Sequence, residues 1–255
     1  MKQITCSMMG MLLLLVISLQ TIAGNKTMPW TTKSPAAKQL AWSGANHMMN
    51  AEFERAYSDL AAAVKLDPEF SAALALLSNL SRGQARKDFA ARAIKSAANK
   101  SAGEKLFVSL VDDKMSPQEN TDTWAKLYSM YPDDKLIGNF FVQTRNTADE
   151  RFTAAQDYIK RFPAEPAMYN TLGYLYMQDK KDNAMAKTSF EKYIAMYPDG
   201  SNPYDSMGEY YLDMGDTENA NKYYSMSLEK YPFTTSSINA LQKMADAKKA
   251  AVQKN

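Results

Sequence analysis

Residues 199–232 read DGSNPYDSMGEYYLDMGDTENANKYYSMSLEKYP, and this stretch decides the fold. Met207-Gly208, Tyr211, Gly215, Ala220, Tyr224 and Pro232 stand in it at spacings that fit two helices joined by a tight turn. A glycine inside a helix costs about 1 kcal/mol relative to alanine, so Gly208 marks a place where a second helix must come close. Ala220 is the small partner on that second helix, Gly215 supplies the turn, and Pro232 stops the second helix. The preceding stretch, 164–198, repeats the arrangement with Leu172-Gly173, Tyr176, Ala186, Phe190 and Pro198. It carries one extra residue, which the polar run Lys180–Asn183 is expected to absorb in its turn. Tyr176, Tyr211, Phe190 and Tyr224 are expected to fill the space between successive units.

Further upstream, Pro68, Pro132 and Pro163 continue the punctuation, so that the five prolines close the segments KLDP, SMYP, KRFP, AMYP and EKYP. The interval from Pro68 to Pro132 is two units long, and SAANKSAGEK around Lys100 breaks a helix there without proline. Each later interval is one unit. A constant period of this kind means stacked units that share one continuous interior. The first unit keeps Gly44, Ala56 and Ala63, and the second keeps Gly83. The third and fourth keep apolar spacing through Phe107, Trp124 and Leu127, then Ile137-Gly138, Phe141 and Phe152. Asp133-Asp134, Asp199 and Asn202 follow the prolines and are expected to cap the next helix. Thr234 to Ser237 should cap a last helix, whose Lys243, Lys248, Lys249 and Lys254 give it a polar outer side.

These units resemble tetratricopeptide repeats, helix–turn–helix units of about 34 residues with a Leu-Gly, Tyr, Ala, Phe, Pro pattern. The resemblance implies an all-α, right-handed α-solenoid of about six units over residues 36–232, strongest at 164–198 and 199–232. Residues 24–35 would be a short linker, and 233–255 a capping helix and tail. It also implies a concave groove lined by the inner helices. In the last two units, Asn170, Tyr174, Met177, Gln178, Asp205, Glu209, Leu212 and Asp213 are expected to line it. Relatives that clamp a chain's terminal carboxylate use basic groups there. The acids here favour a ligand with basic or hydrogen-bond-donating groups.

The beginning of the chain sets the expected compartment. Lys2 precedes an apolar run from Met8 to Leu19, and Thr21 and Ala23 are small residues placed for a cut after Ala23. A run of 12 is shorter than the roughly 20 residues that a spanning helix needs. Residues 1–23 read as a signal peptide, so the chain resembles a secreted or periplasmic bacterial member of the family. The mature protein would have no membrane span and would lose Cys6, its one cysteine.

Chemistry is sparse. One Cys, one His and a net charge of +2 leave no ordinary metal site, no nucleophile–base pair and no basic excess for nucleic acid. His47 is expected to pack between helices. The adjacent acids Asp112-Asp113 and Asp133-Asp134 point apart along a helix and suit capping or solvation better than paired acid–base work. No catalytic residue, metal ligand or cofactor is expected, and the partner is an unidentified protein or peptide. The alternative is a scaffold subunit of a cell-envelope complex without a discrete groove. A hydrolase built on His47 is the remote one.

Overall fold

The five prolines act through the residue before them. A residue preceding proline is pushed out of the helical basin, and Asp67, Tyr131, Phe162, Tyr197 and Tyr231 all leave it, each with a strongly positive ψ. Each is the C-cap of the second helix of a pair. In the computed structural model, which describes residues 26–253, this punctuation yields six helix pairs and a final helix. The pairs are α1 (Pro35–Met49) with α2 (Phe53–Leu66), α3 (Ser71–Asn79) with α4 (Gly83–Ser96), and α5 (Ala102–Ser109) with α6 (Pro117–Met130). They continue with α7 (Lys135–Gln143) and α8 (Ala148–Arg161), α9 (Ala167–Tyr174) and α10 (Asn183–Met196), and α11 (Asn202–Asp213) and α12 (Thr217–Lys230). The final helix is α13 (Thr235–Gln253). The molecule is an all-α solenoid with no strand among the described residues. The signal peptide expected at 1–23 lies outside them, and no described helix is long and apolar enough to cross a membrane.

The glycines inside the first helices do admit the second ones. A Cβ on Gly173 would lie 2.4 Å from Phe190, and one on Gly208 would lie 2.8 Å from Tyr224. Phe190 and Tyr224 therefore fill the space within their own pairs, and Phe190 also meets Tyr210 of the next unit at 6.1 Å. Between units, Tyr176 meets Phe152 edge-on at 5.1 Å, whereas Tyr211 stacks on Tyr223 of its own pair. Ala186 and Ala220 are fully buried beneath.

The extra residue of the fifth unit is not in the turn. The chain after α9 widens into a π-helical segment, Leu175–Lys180, and the N–H groups of Lys181 and Asp182 both reach back to the Tyr176 carbonyl. Widening a helix to i→i+5 bonding takes up one residue without breaking the hairpin. The turn itself then closes through Lys181 in the left-handed region, where the sixth unit uses Gly215.

Residues 26–34, from the stretch read as a linker, form an extended strap packed along the first units. Their side chains alternate, so that Met28 and Trp30 are buried while Thr27, Pro29 and Thr31 face outward. Trp30 stacks on Trp42 at 4.4 Å and meets the edge of Phe70. The strap's N–H groups are held by acids at the starts of inner helices. Lys26 donates to Asp133 at 2.9 Å, Met28 to Asp134 at 3.1 Å and Thr31 to Glu104 at 2.8 Å. With α2, α4 and α5 packed on it and Trp30 against Phe70 at its start, α3, whose sequence SAALALLSN lacks any charge, is buried on every side from Ser71 to Ser78.

The solenoid also closes on itself. Glu52, in the turn between α1 and α2, is 3% exposed and faces the start of α11. Its carboxylate accepts from the Ser201 N–H at 2.5 Å, the Ser201 hydroxyl at 3.1 Å, the Asn202 N–H at 3.4 Å and the Tyr197 hydroxyl at 2.9 Å. Asn202 therefore does not cap α11. The cap comes from the first unit, where an anion meets the unpaired N–H groups and positive end of a helix. Tyr193 donates to the Asn50 carbonyl, Arg55 to the Lys230 carbonyl, and the Thr235 N–H to Glu54. The first hairpin is thus joined to the last two pairs and to α13.

Candidate functional site

The closure divides the inner face. Where the first hairpin sits on the start of α11, the inner surface is used internally. Between the end of α1, the inner helices α7 and α9, and the π-helical segment it leaves a cavity of about 400 Å³. Met48 and Phe53 from the hairpin, Phe140 from α7 and Leu175 give it apolar walls. Asn139, Gln143, Arg151, Asn170, Tyr174 and Gln178 give it polar ones. Sites for small ligands are of this size, roughly 300–1,000 Å³, with few polar groups among apolar ones.

Three polar atoms of the wall are buried without a partner in the described structure: Asn139 Nδ2, Arg151 Nε and Asn170 Oδ1. An unpaired buried donor or acceptor costs about 1–3 kcal/mol, so most such groups in folded proteins are bonded. Arg151 also makes no ion pair among the described residues. By contrast, Gln143 bonds Thr171 at 2.7 Å on the rim.

The expected groove residues separate into three sets. Asn170, Tyr174 and Gln178 line the cavity together. Glu209, Leu212 and Asp213 are exposed further along, and the Tyr174 hydroxyl donates to Glu209 at 2.7 Å. Burial, with Glu209 beside it, pushes the Tyr174 hydroxyl far above its ordinary range, so it stays a donor. Met177 and Asp205 do not line an open face. Met177 packs in the apolar cluster with Phe190 and Met207, turned inward by the π-helical segment. Asp205 is buried and accepts from the Ser237 hydroxyl at the start of α13. Burial raises its pKa, and Glu209 and Glu54 nearby add to this, against hydrogen bonds from Ser237 and Ser236. Of the three acids expected on the inner face, Asp205 is therefore taken up within the protein, while Glu209 and Asp213 remain exposed.

The remaining singled-out residues are structural. His47 Nδ1 lies 3.0 Å from Asp59, bridging α1 to α2 near Glu52. Asp134 caps α7 through the Leu136 and Ile137 N–H groups, while Asp133 holds the strap and Arg161. Asp113 pairs with Arg86. Among the described residues no group of three His, Cys, Asp or Glu is placed to hold a metal. Two residues of the cavity escaped the sequence reading. Asn139 had a signal, being the one polar residue in the apolar run LIGNFFV. Arg151 had none, as one of several charges on its helix.

The fold defines a helical-repeat solenoid. Residues 166–199 match the tetratricopeptide repeat family, and no curated protein matches the chain. Among solved structures, the fold is similar to the APC/C hetero-tetramer Cut9–Hcn1, at TM-score 0.50 and 15% identity over 82% of this chain and 42% of that one. It is similar to IFIT1 with Gppp-AAAA, at TM-score 0.50 and 12% identity over 69% and 46%. A third likeness is PilW, a widely conserved type IV pilus biogenesis factor, at TM-score 0.47 and 13% identity over 82% and 99%. The chain spans less than half the length of the first two. The chain is an all-α solenoid of tetratricopeptide-like helix pairs, one of which, residues 166–199, matches the family itself.

Proposed function

We propose that this protein is a non-catalytic interaction module that works outside the cytoplasm and holds a segment of a protein partner on its inner face. The observation that carries this reading is the cavity bounded by α1, α7 and α9. There, polar atoms lie buried and unpartnered, whereas neighbouring parts of the inner face are filled by the strap and the first hairpin. Asn170, Tyr174 and Gln178 are the expected residues that serve this site, with Glu209, Leu212 and Asp213 extending the surface beside it. A rigid pre-formed scaffold leaves most of the ordering cost to the ligand. The functional unit comprises the strap, the repeats to residue 232 and the capping helix beyond. Export by a leader ending at Ala23 gives the periplasmic or secreted setting, and nucleic acid is not the partner.

The test is site-specific photo-crosslinking in the native host. A photoreactive residue at Gln143 or Gln178, both exposed at the cavity rim, should capture the same partner. One at Lys222, exposed on α12, should not. Equal capture from all three positions would remove the groove from the account. A mature N-terminus at Gly24, read by mass spectrometry of the exported fraction, checks the compartment.

A scaffold role draws on a different observation. Phe233 and Leu66, 66% and 53% exposed, leave apolar surface uncovered away from the cavity. A native mass showing a stable oligomer that masks the cavity-rim positions would favour that role.

A further inference from the structure

A second cavity, of about 370 Å³, lies at the start of α7, where four parts of the chain meet. Thr27 comes from the strap, Trp42 from α1, Asp133 and Lys135 from the entry to α7, and Arg161 and Phe162 from the end of α8. It shares no lining residue with the cavity on the inner face. Its side chains are within reach of a ligand: Asp133 and Arg161 are 35% and 41% exposed, and Trp42 and Phe162 are half-buried. Contacts within the protein gather them. Arg161 donates to Asp133 at 2.5 Å, Asp133 accepts from the Lys26 N–H beside Thr27, and Trp42 stacks on Trp30 of the strap.

The charges around this cavity are already matched. Arg161 pairs with Asp133 and Lys135 with Glu165 at 2.7 Å, while the buried Asp134 accepts from the N–H groups of Met28, Leu136 and Ile137. A charged ligand would find no free counter-charge and would meet a like charge on the same wall. A purely aliphatic one would strip water from the ion pair and give no hydrogen bond in return. A hydroxyl both donates and accepts, so two neighbouring hydroxyls can lie across the Asp133–Arg161 pair, one donating to the carboxylate and one accepting from the guanidinium. Trp42 Nε1 and the Thr27 hydroxyl make no hydrogen bond among the described residues and are free to add to these. The faces of aromatic rings are electron-rich, and the C–H groups of a pyranose ring lie favourably against them.

We propose that this cavity binds a neutral pyranose sugar, free or as one residue of a glycan, with Trp42 and Phe162 against its C–H groups and Asp133 and Arg161 on neighbouring hydroxyls.

The probes are methyl β-glucoside, methyl β-galactoside, methyl N-acetyl-β-glucosaminide and the disaccharide built from each sugar, with inorganic phosphate as the charged control. Each is titrated into the full chain labelled with ¹⁵N, whose three tryptophans give three indole N–H signals. At least one neutral sugar should shift the Trp42 signal and leave that of the buried Trp124 in place. Arg161→Ala removes an exposed ion pair of little weight for the fold and should weaken that binding about tenfold. Trp42→Ala should abolish it but also takes away the ring on which Trp30 stacks, so the decisive variant is Arg161→Ala with an unchanged melting point. Gln178→Ala, in the other cavity, should leave sugar binding as it was. Tighter binding of a disaccharide than of its single sugar assigns a glycan as the source, and equal binding assigns the single sugar. The absence of a Trp42 shift with every sugar overturns the proposal. So does phosphate binding more tightly than any sugar, or sugar binding unaltered in Arg161→Ala.

Discussion

Glu52→Ala tests whether the solenoid is closed. The carboxylate receives four hydrogen bonds from Tyr197, Ser201 and Asn202, and Arg55 lies 3.4 Å away. The Ser201 and Tyr197 hydroxyls can rotate toward other acceptors. The Ser201 and Asn202 N–H groups cannot, because they are fixed by the first turn of α11 and buried. Two orphaned donors at about 1–3 kcal/mol each, together with a half-buried Arg55 left without its acid, place the loss at about 3–5 kcal/mol. For a chain of this size each kcal/mol moves the melting temperature by about 2–4 °C, so the variant should melt roughly 6–20 °C lower. Repeat proteins can open at one interface while the remaining units stay folded. Hydrogen exchange should therefore speed up first at Ser201 and Asn202 and throughout α1 and α2, with α7 and α8 still protected. Glu52→Gln keeps a carbonyl toward Ser201 and should lose about half as much. A melting point within about 2 °C of the parent, with protection at Ser201 and Asn202 unchanged, would refute the closure argument.

Other substitutions probe separate parts of the fold. Gly173→Ala gains helix propensity but drives a Cβ into the Phe190 ring, so a net loss of about 1–2 kcal/mol is expected in denaturant melts, with partial recovery in Gly173→Ala/Phe190→Leu. Asp134→Ala removes the cap of α7 and the acceptor for Met28. It should cost about 1–2 kcal/mol and expose the strap to limited proteolysis, whereas Asp134→Asn should retain most of the cap. Trp30→Ala should cost about 3–5 kcal/mol and change the emission of Trp42, on which it stacks. Asp205 gives a pH dependence of defined sign. Its folded pKa is raised, so its contribution is favourable below the unfolded value and is lost as pH climbs through the folded one. Asp205→Asn should therefore melt higher than the parent near neutral pH, and the difference should vanish below about pH 4. A difference that grew on acidification would contradict this sign.

The candidate site was only partly legible. Asn170, Tyr174 and Gln178 were found because the repeat pattern says which positions of an inner helix face the concave side. Met177 and Asp205 share that register, yet a π-helical segment turned the first inward and the cap of α13 covered the second. Arg151 reaches the cavity from an outer helix, and Met48 and Phe53 reach it from the other end of the repeat array. No periodicity within one unit marks such positions.

The sequence by itself determined the helix pairs, their order and their limits, because these follow from local chemistry. A residue before proline leaves the helical basin, and a glycine admits an aromatic ring from the facing helix. Tertiary structure alone decided that Glu52 would cap α11, that residues 26–34 would be bound and not free, and that the first hairpin would wall one side of the inner face into a cavity. Those outcomes depend on how small rotations between successive pairs accumulate, bringing residues 52 and 201 together across 149 positions. Curvature of that kind is a property of the whole stack, and no single repeat encodes it.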